Sequence, residues 1–465
     1  MKNKRIIYMS CILCATAFLS GCRIYSSYER PEDISADSLY RDTKTETGIL
    51  ATDTVNFGNT PWREVFTDPK LQALIEKGLE RNTDLLAAEL SVKQAEASLM
   101  SSKLSFLPSF ALAPQGNLSS FDKSSPSKTY TLPVTASWQI DIFGSLRNAK
   151  AQAKALYLQS KEYKQAVQTQ IIASIANMYY TLLMLDEQLN ITKETAEIWG
   201  KNVEAMKAMQ VAAMTNAAAV SQSEANYYQV CASIPELERS IRETENALST
   251  LLREAPHKID RTTLAEQTFS ESLSAGVPLQ LLSNRPDVKA AELNLRAAFY
   301  NTNAAYSAFY PQITLSGTAG WTNSAGSAIV NPGKLILNAI GSLTQPIFQR
   351  GKLIAGLKVA KAQQETAKLQ FEQALLNAGE EVSNALFLYQ TAIQTSESRE
   401  KQVEALTKTR DNTIELFNLG TSTYLEKLTA EQSLLSARLS LISDEFTKMQ
   451  AVVNLYQALG GGRDN

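Results

Sequence analysis

Asp84-Leu-Leu-Ala-Ala-Glu-Leu90 and Asp287-Val-Lys-Ala-Ala-Glu-Leu293 lie 203 residues apart and read as two versions of one helical segment. Phe106-Leu107-Pro108 is matched by Phe309-Tyr310-Pro311 at the same spacing, and Ile142-Phe143 by Ile347-Phe348 at 205. Each copy therefore runs helix, aromatic-X-Pro break, strand region, Ile-Phe, long helix, returning helix. A plan repeated in tandem over such a period fixes the architecture before any single element is considered.

The long helices are expected over roughly 145–212 and 352–417. Ile171, Ile175, Met178, Leu182 and Leu185 alternate steps of four and three, as do Phe371, Leu375, Ala378, Val382, Ala385, Tyr389 and Ala392. That is the seam of a coiled coil. A shift of 207 lands the first series on the second, so the copies share one heptad register. At ~1.5 Å per residue each helix is on the order of 100 Å long. The shorter helices, 68–104, 218–254, 284–308 and 423–457, must stack end to end in pairs to match that length.

Between the Pro break and the Ile-Phe pair the period falls to two. Tyr130, Leu132, Val134, Ala136, Trp138, Ile140 and Ile142 alternate with Thr131, Pro133, Thr135, Ser137, Gln139 and Asp141. Phe110, Leu112 and Leu118 share one parity in the preceding segment. Ile313, Leu315, Ala319 and Trp321 do so in the second copy, and Leu337, Ala339, Leu343 and Ile347 in its partner, where Ile336 and Ile340 break the pattern. One greasy and one wet face, sustained over about ten residues, is the pattern of a transmembrane barrel strand. Soluble hairpins alternate too, but four strands cannot close a barrel in lipid, where about eight is the minimum. Two chains supply eight strands and three supply twelve; periodicity does not choose between them.

The N-terminus reads as an export signal. Lys2, Lys4 and Arg5 precede the apolar run Ile6–Phe18, too short to span a bilayer, and Leu19-Ser20-Gly21-Cys22 follows. Small residues directly before a cysteine resemble the lipobox of bacterial lipoproteins, which implies acylation of Cys22. Removing the signal takes the formal charge from −2 to −5 and Cys11 and Cys14 with it, so Cys231 is the only thiol besides Cys22. No basic excess points to nucleic acid. The one histidine, His257, follows Pro256 in a connector, and no phosphate loop or His/Cys cluster accompanies it. Neither catalysis nor a cofactor is expected. A periplasmic adaptor, with a single helical hairpin between small β domains, does not fit two repeated hairpins with strands inside each copy.

The expected layout is a signal peptide over 1–21 and a lipidated extended segment over 22–60. A first repeat follows over 61–255, with strands about 109–142 and a hairpin about 145–254. After a connector over 256–283 comes the second repeat over 284–462, with strands about 312–348 and a hairpin about 352–457.

Three stretches carry a resemblance to a known family. They are Trp62-Arg63-Glu64-Val65-Phe66 with Asp68-Pro69-X-Leu71 and Asn82-X-Asp84-Leu85; Val277-Pro278 leading to Leu282-Ser283-Asn284-Arg285-Pro286-Asp287-Val288-Lys289-Ala290-Ala291-Glu292; and Leu455-Tyr456-Gln457-Ala458-Leu459-Gly460-Gly461-Gly462. Across nearly all of the mature chain they resemble the TolC-like outer-membrane efflux proteins, in particular the NodT-type lipoprotein branch. Pro286 suits the first helical position and Asp287 the positive end of the helix dipole, a structural role.

The resemblance implies a mainly α fold with membrane β. Coiled-coil helices form an α-barrel, and a homotrimer closes a 12-stranded β-barrel from four strands per chain. It implies a lipid anchor in the outer membrane, a periplasmic helical domain, a periplasmic adaptor protein and an inner-membrane pump of the resistance-nodulation-division type. The function implied is a passive conduit exporting small molecules; the alternative within the family is the exit duct of a type I protein secretion system. Helix tips that contact the adaptor are expected at Gly420, Thr421 and Ser422. Ala213 and Ala219 depart from the glycine and aspartate usual at the first tip. Glu426 stands where family channels carry an acidic residue that narrows the closed pore; three copies make a ring of like charge.

Overall fold

The computed structural model describes residues 25–31, 57–120, 122, 125–268, 284–323 and 334–463. Cys22 and the signal sequence lie outside the described residues, as do Val277-Pro278 and Leu282-Ser283. In chain order the elements are α1 (Trp62–Val65), α2 (Pro69–Arg81), α3 (Thr83–Leu104), β1 (Ser109–Leu112), β2 (Gln115–Ser119), β3 (Ser127–Ile140), α4 (Ser145–Val211) and α5 (Ala217–Leu251). The second half continues with α6 (Pro286–Ser307), β4 (Gln312–Asn323), β5 (Lys334–Thr344), α7 (Lys352–Asn418) and α8 (Tyr424–Ala458). No described helix is long and apolar enough to cross a membrane.

Two compact units emerge. One comprises Met1–Ile34, Ala95–Tyr157 and Leu293–Leu369 and carries the sheet. Its order is β1/β2–β3–β4–β5, antiparallel throughout. β1 and β2 are one strand interrupted, because Leu112 opposite Val134 and Gln115 opposite Thr131 keep the same register across the gap. Prolines explain the interruption: Pro114 has no N–H, and Pro133, facing the gap, can offer only its carbonyl, which accepts from Ala113 N at 3.0 Å. On its other side Pro133 faces Gly320, where a Cβ would come within 2.3 Å of the Leu132 carbonyl oxygen. Only glycine fits there.

The second unit comprises Ser35–Gln94, Leu158–Glu292 and Gln370–Asn465. The α7 seam expected from the heptads is buried at Phe371, Leu375, Ala378, Val382, Ala385 and Ala392, with Tyr389 half-buried. α4 buries two adjacent stripes, Ile171/Ile175/Leu182/Leu185 and Ile172/Ala176/Tyr179/Leu183. The glycine tail after α8 covers the start of the extra stripe, with the Gly461 and Gly462 carbonyls accepting from Thr169, Gln165 and Gln168 and Gly462 packed against Ile172, while Tyr179 further along bonds Asp68 and Thr262.

The repeat is closer in structure than in sequence. α4 and α7 are both 67 residues, α5 and α8 both 35, and each second-copy helix starts 207 residues after its counterpart: Ser145 to Lys352, Ala217 to Tyr424. α3 and α6, both 22 residues, stand 203 apart. The four extra residues of the second copy fall between its strands, as the pairs Ser119–Ser127 and Thr322–Lys334 bracket the two turns. The match of Ile142-Phe143 to Ile347-Phe348 at 205 is therefore two residues out of register. The left-handed glycines Gly144 and Gly351 (both φ +78°) mark the true spacing of 207. A two-residue slip keeps every side chain on its own face, so alternation alone cannot detect it.

All four long-hairpin helices end in the same Schellman turn. At α7, Thr421 N bonds Leu416 O at 2.9 Å and Gly420 N bonds Phe417 O at 3.0 Å, with Gly420 at φ +74°. At α4 the counterparts are Met214 N to Met209 O, 2.8 Å, and Ala213 N to Gln210 O, 3.0 Å, and Ala213 is held at φ +55°. A side chain in this region costs about 1 kcal/mol or more. Ala213→Gly should therefore steady the first tip by about 1 kcal/mol and Gly420→Ala loosen the second by a similar amount. Amide exchange at residues 209–216 and 416–423 reads both; no change in either variant contradicts the assignment.

Candidate functional site

Three places bear on function: the sheet face, the hairpin tips and a set of buried polar anchors. On the sheet, directly opposed residues share a face. Leu112, Val134, Ala319 and Leu337 form one row; Leu132, Trp321 and Leu335 another; Trp138 and Leu315 with Gly341 a third; Ile140, Ile313 and Leu343 a fourth. The opposite face pairs Thr131 with Thr322, Thr135 with Thr318 and Asn338, and Gln139 with Thr314 and Ser342. The greasy face is bare: Phe110 is 70 % exposed, Leu337 73 % and Trp321 48 %. An uninterrupted exposed apolar face backed by hydroxyls and amides suits hydrocarbon on one side and water on the other. Both outer strands also keep an unpaired edge among the described residues.

At the tips, Thr423 caps α8 and Glu426 completes a capping box. The Thr423 hydroxyl accepts from Glu426 N at 3.3 Å, and the Glu426 carboxylate accepts from Thr423 N and Ser422 Oγ, both at 2.7 Å. These hydrogen bonds, led by Ser422, hold its pKa below the ordinary carboxylate value. Thr421 Oγ1 donates to Leu416 O at 3.0 Å, so Gly420, Thr421 and Ser422 are all engaged in building the turn. In the first copy Asn216 caps α5 through Ala219 N, and Ala219 occupies the position that Glu426 holds in the second. Val211 (91 %), Met214 (71 %) and Leu419 (75 %) are left exposed around the two turns. The tips also touch each other: Tyr424 OH bonds Ser223 Oγ at 2.7 Å, and Lys427 bonds Asn202 Oδ1 at 3.1 Å. Asn202 in turn donates to the buried Glu431, whose pKa is raised by burial and only partly restrained by Lys427.

The family-like motifs turn out to be anchors. Asp68 caps α2 through Lys70 N and accepts from Tyr179 OH (2.6 Å), Gln267 Nε2 (3.0 Å) and Thr262 Oγ1. Burial pushes its carboxyl up, but these four donors outweigh that and leave it below its ordinary 3.8. Such a group stabilises the fold at all higher pH and yields that contribution as pH falls through the lowered value. Arg261, in the connector, forks onto Asp186 and bonds Glu245. Arg285 is the residue the motif reading passed over in favour of Pro286 and Asp287. It is buried, pairs with Asp287 (2.6 Å) and Glu381 (2.7 Å), and donates to Ala458 O at 2.8 Å, tying α6 to α7 and to the end of α8. Its place before a helix-starting proline was visible; its three partners, up to 173 residues away, were not. His257 meets Ser249 and the Ala255 carbonyl, a packing role. No group of potential metal ligands occurs among the described residues.

Comparison with known proteins agrees with this geometry. The outer membrane efflux protein model matches residues 74–253 and 277–461. The chain belongs to the outer membrane efflux protein family. It is 28 % identical over 452 residues to the cation efflux system protein CusC of Escherichia coli O6:H1, covering 97 % of both chains. It is 29 % identical to the toluene efflux pump outer membrane protein TtgC of Pseudomonas putida, covering 97 % of this chain and 95 % of that one. The open state of the Neisseria gonorrhoeae MtrE outer membrane channel superposes with a TM-score of 0.84 at 28 % identity, over 95 % of this chain and 98 % of that chain. The protein is thus an outer-membrane efflux channel component and a passive conduit, not an enzyme.

Arg285→Ala strands the Ala458 carbonyl and leaves a void, but the half-exposed Asp287 and Glu381 can be resolvated. The loss should be on the order of 2–3 kcal/mol, below the penalty of an orphaned buried charge. Thermal unfolding by circular dichroism should show a lower midpoint for Arg285→Ala than for Arg285→Lys; equal midpoints for both and wild type refute the anchor.

Proposed function

We propose that three copies of this chain close a twelve-stranded outer-membrane barrel and form the exit duct of a tripartite efflux system for small molecules. The observation that carries this reading is the four-stranded sheet with a bare apolar face and two open edges, since four strands cannot close and an open edge is not tolerated in lipid. Family membership supports it; relatives are named for cations and for toluene, and in this reading the duct itself is broad in cargo and the inner-membrane pump does the selecting. In this reading Cys22 carries the lipid anchor. A periplasmic adaptor meets the tips around Gly420, Thr421 and Ser422, and the adaptor couples the duct to a resistance-nodulation-division type pump.

Glu426 is proposed as a ring of three carboxylates at the gate. Its capping bonds leave it ionised, and its side chain is exposed. Gln at this helix position preserves a capping acceptor while removing the charge, so Glu426→Gln separates the two roles. The chain extracted in mild detergent should appear as a trimer by native mass spectrometry. In planar bilayers Glu426→Gln should lower cation selectivity without loss of trimer. A monomer or dimer overturns the barrel reading; unaltered selectivity and conductance with intact trimers overturn the gate alone.

A further inference from the structure

The two open edges of the sheet carry enough internal information to say how they meet. Two side-chain bonds recur in both copies at the structural spacings already established. Trp138 Nε1 donates to Phe106 O at 2.9 Å, and Gln345 Nε2, 207 residues after Trp138, donates to Phe309 O, 203 after Phe106, at 3.0 Å. Thr135 Oγ1 donates to Ala111 O at 3.2 Å, and Ser342 Oγ, by the same two spacings, to Thr314 O at 3.2 Å. The ladder agrees, as Ser109–Ser137 becomes Gln312–Thr344. The first strand and the second strand of each copy are therefore related by fixed shifts of 203 and 207.

The chain also contains one junction between copies. β3, second strand of the first copy, pairs with β4, first strand of the second, with Thr131 opposite Thr322, Pro133 opposite Gly320 and Thr135 opposite Thr318. In a ring built from these copies the next junction joins β5 to the β1/β2 strand of a neighbouring chain. Applying the two shifts converts Thr131–Thr322 into Asn338–Ser119, Pro133–Gly320 into Ile340–Asn117 and Thr135–Thr318 into Ser342–Gln115.

We infer that β5 of one protomer pairs antiparallel with the β1/β2 strand of a second copy of this chain in that register. Three features of the edges fit. Parity is kept: Ala339 falls opposite Leu118 on the apolar face, while Asn338, Ile340 and Ser342 meet Ser119, Asn117 and Gln115 on the polar one. Gly341 falls opposite Gly116, so no bulk opposes bulk there. Every residue of β1 and β2 is exposed along the edge in question.

The inference rests on the barrel reading, but the register can fail separately. The full-length protein in membranes carries paired cysteines: Asn338→Cys with Ser119→Cys, Ser342→Cys with Gln115→Cys, and as a two-residue slip Asn338→Cys with Asn117→Cys. Directly opposed residues have Cα atoms ~4.5–5.5 Å apart, within disulfide range, and slipped ones ~7–8 Å apart, outside it. Oxidation should give dimers and trimers on non-reducing gels for the first two pairs and monomers for the third. Linking of the slipped pair, or of none, while native mass spectrometry still finds trimers, overturns the register and leaves the barrel standing. If the unsubstituted chain forms no oligomer, the barrel reading falls first.

Discussion

A backbone N–H or C=O of an extended segment in hydrocarbon has no partner but another strand, and each unsatisfied group costs several kcal/mol. Everything else in this chain answers to that constraint. The sheet has four strands with one face of Leu, Val, Trp and Phe, and that face is too extended and too exposed to belong to a soluble hairpin pair. The same chain provides no described helix able to cross a membrane. In the barrel proposed above, the described strands must close, and the four in one chain's described sheet cannot do so alone. In the proposed barrel, oligomerisation is a condition of the sheet's existence in lipid, which sets it apart from soluble proteins in which association merely adds to a stable monomer.

Much of this was legible in the residues because the repeat reduces the problem by half. Heptads over Phe371–Ala392 located a seam that is buried in the structure, and alternation over Tyr130–Ile142 located β3. The limits of such patterns are equally physical. A period of two is blind to a two-residue slip, which is why the Ile-Phe match misjudged the spacing that Gly144 and Gly351 reveal. Heptad positions describe one stripe, so they could not announce that α4 buries a second one, met by Gly462 at Ile172 and by Asp68 at Tyr179. Long-range partners leave no periodic trace. Asp68 and Arg285 stood inside recognisable motifs, yet their bonds to Thr262, Gln267 and Ala458 join segments far apart in sequence.

The two hairpins share one backbone plan and differ in chemistry at their tips. Gly420 takes the left-handed turn without strain, whereas Ala213 takes it against its own side chain; Glu426 closes a capping box, whereas Ala219 leaves α5 with Asn216 alone. The second tip is therefore polar and tightly capped, the first apolar and strained. Between them the Tyr424–Ser223 and Lys427–Asn202–Glu431 contacts join both hairpins, and a buried carboxylate with a raised pKa sits in that join. None of these contacts involves a residue of the sheet.

The central claim is that the apolar face of the sheet meets lipid. The chain has four tryptophans; Trp62 and Trp199 are buried at 3 % and 5 % exposure, while Trp138 and Trp321 stand on the face in question. In a variant with Trp62 and Trp199 replaced by Phe, reconstituted in vesicles, lipids brominated along the acyl chain should quench the emission of both remaining indoles. A tryptophan placed instead at Thr135, on the hydroxyl-lined face, should escape. Emission from Trp138 and Trp321 that is indifferent to brominated lipid would contradict the account at its foundation.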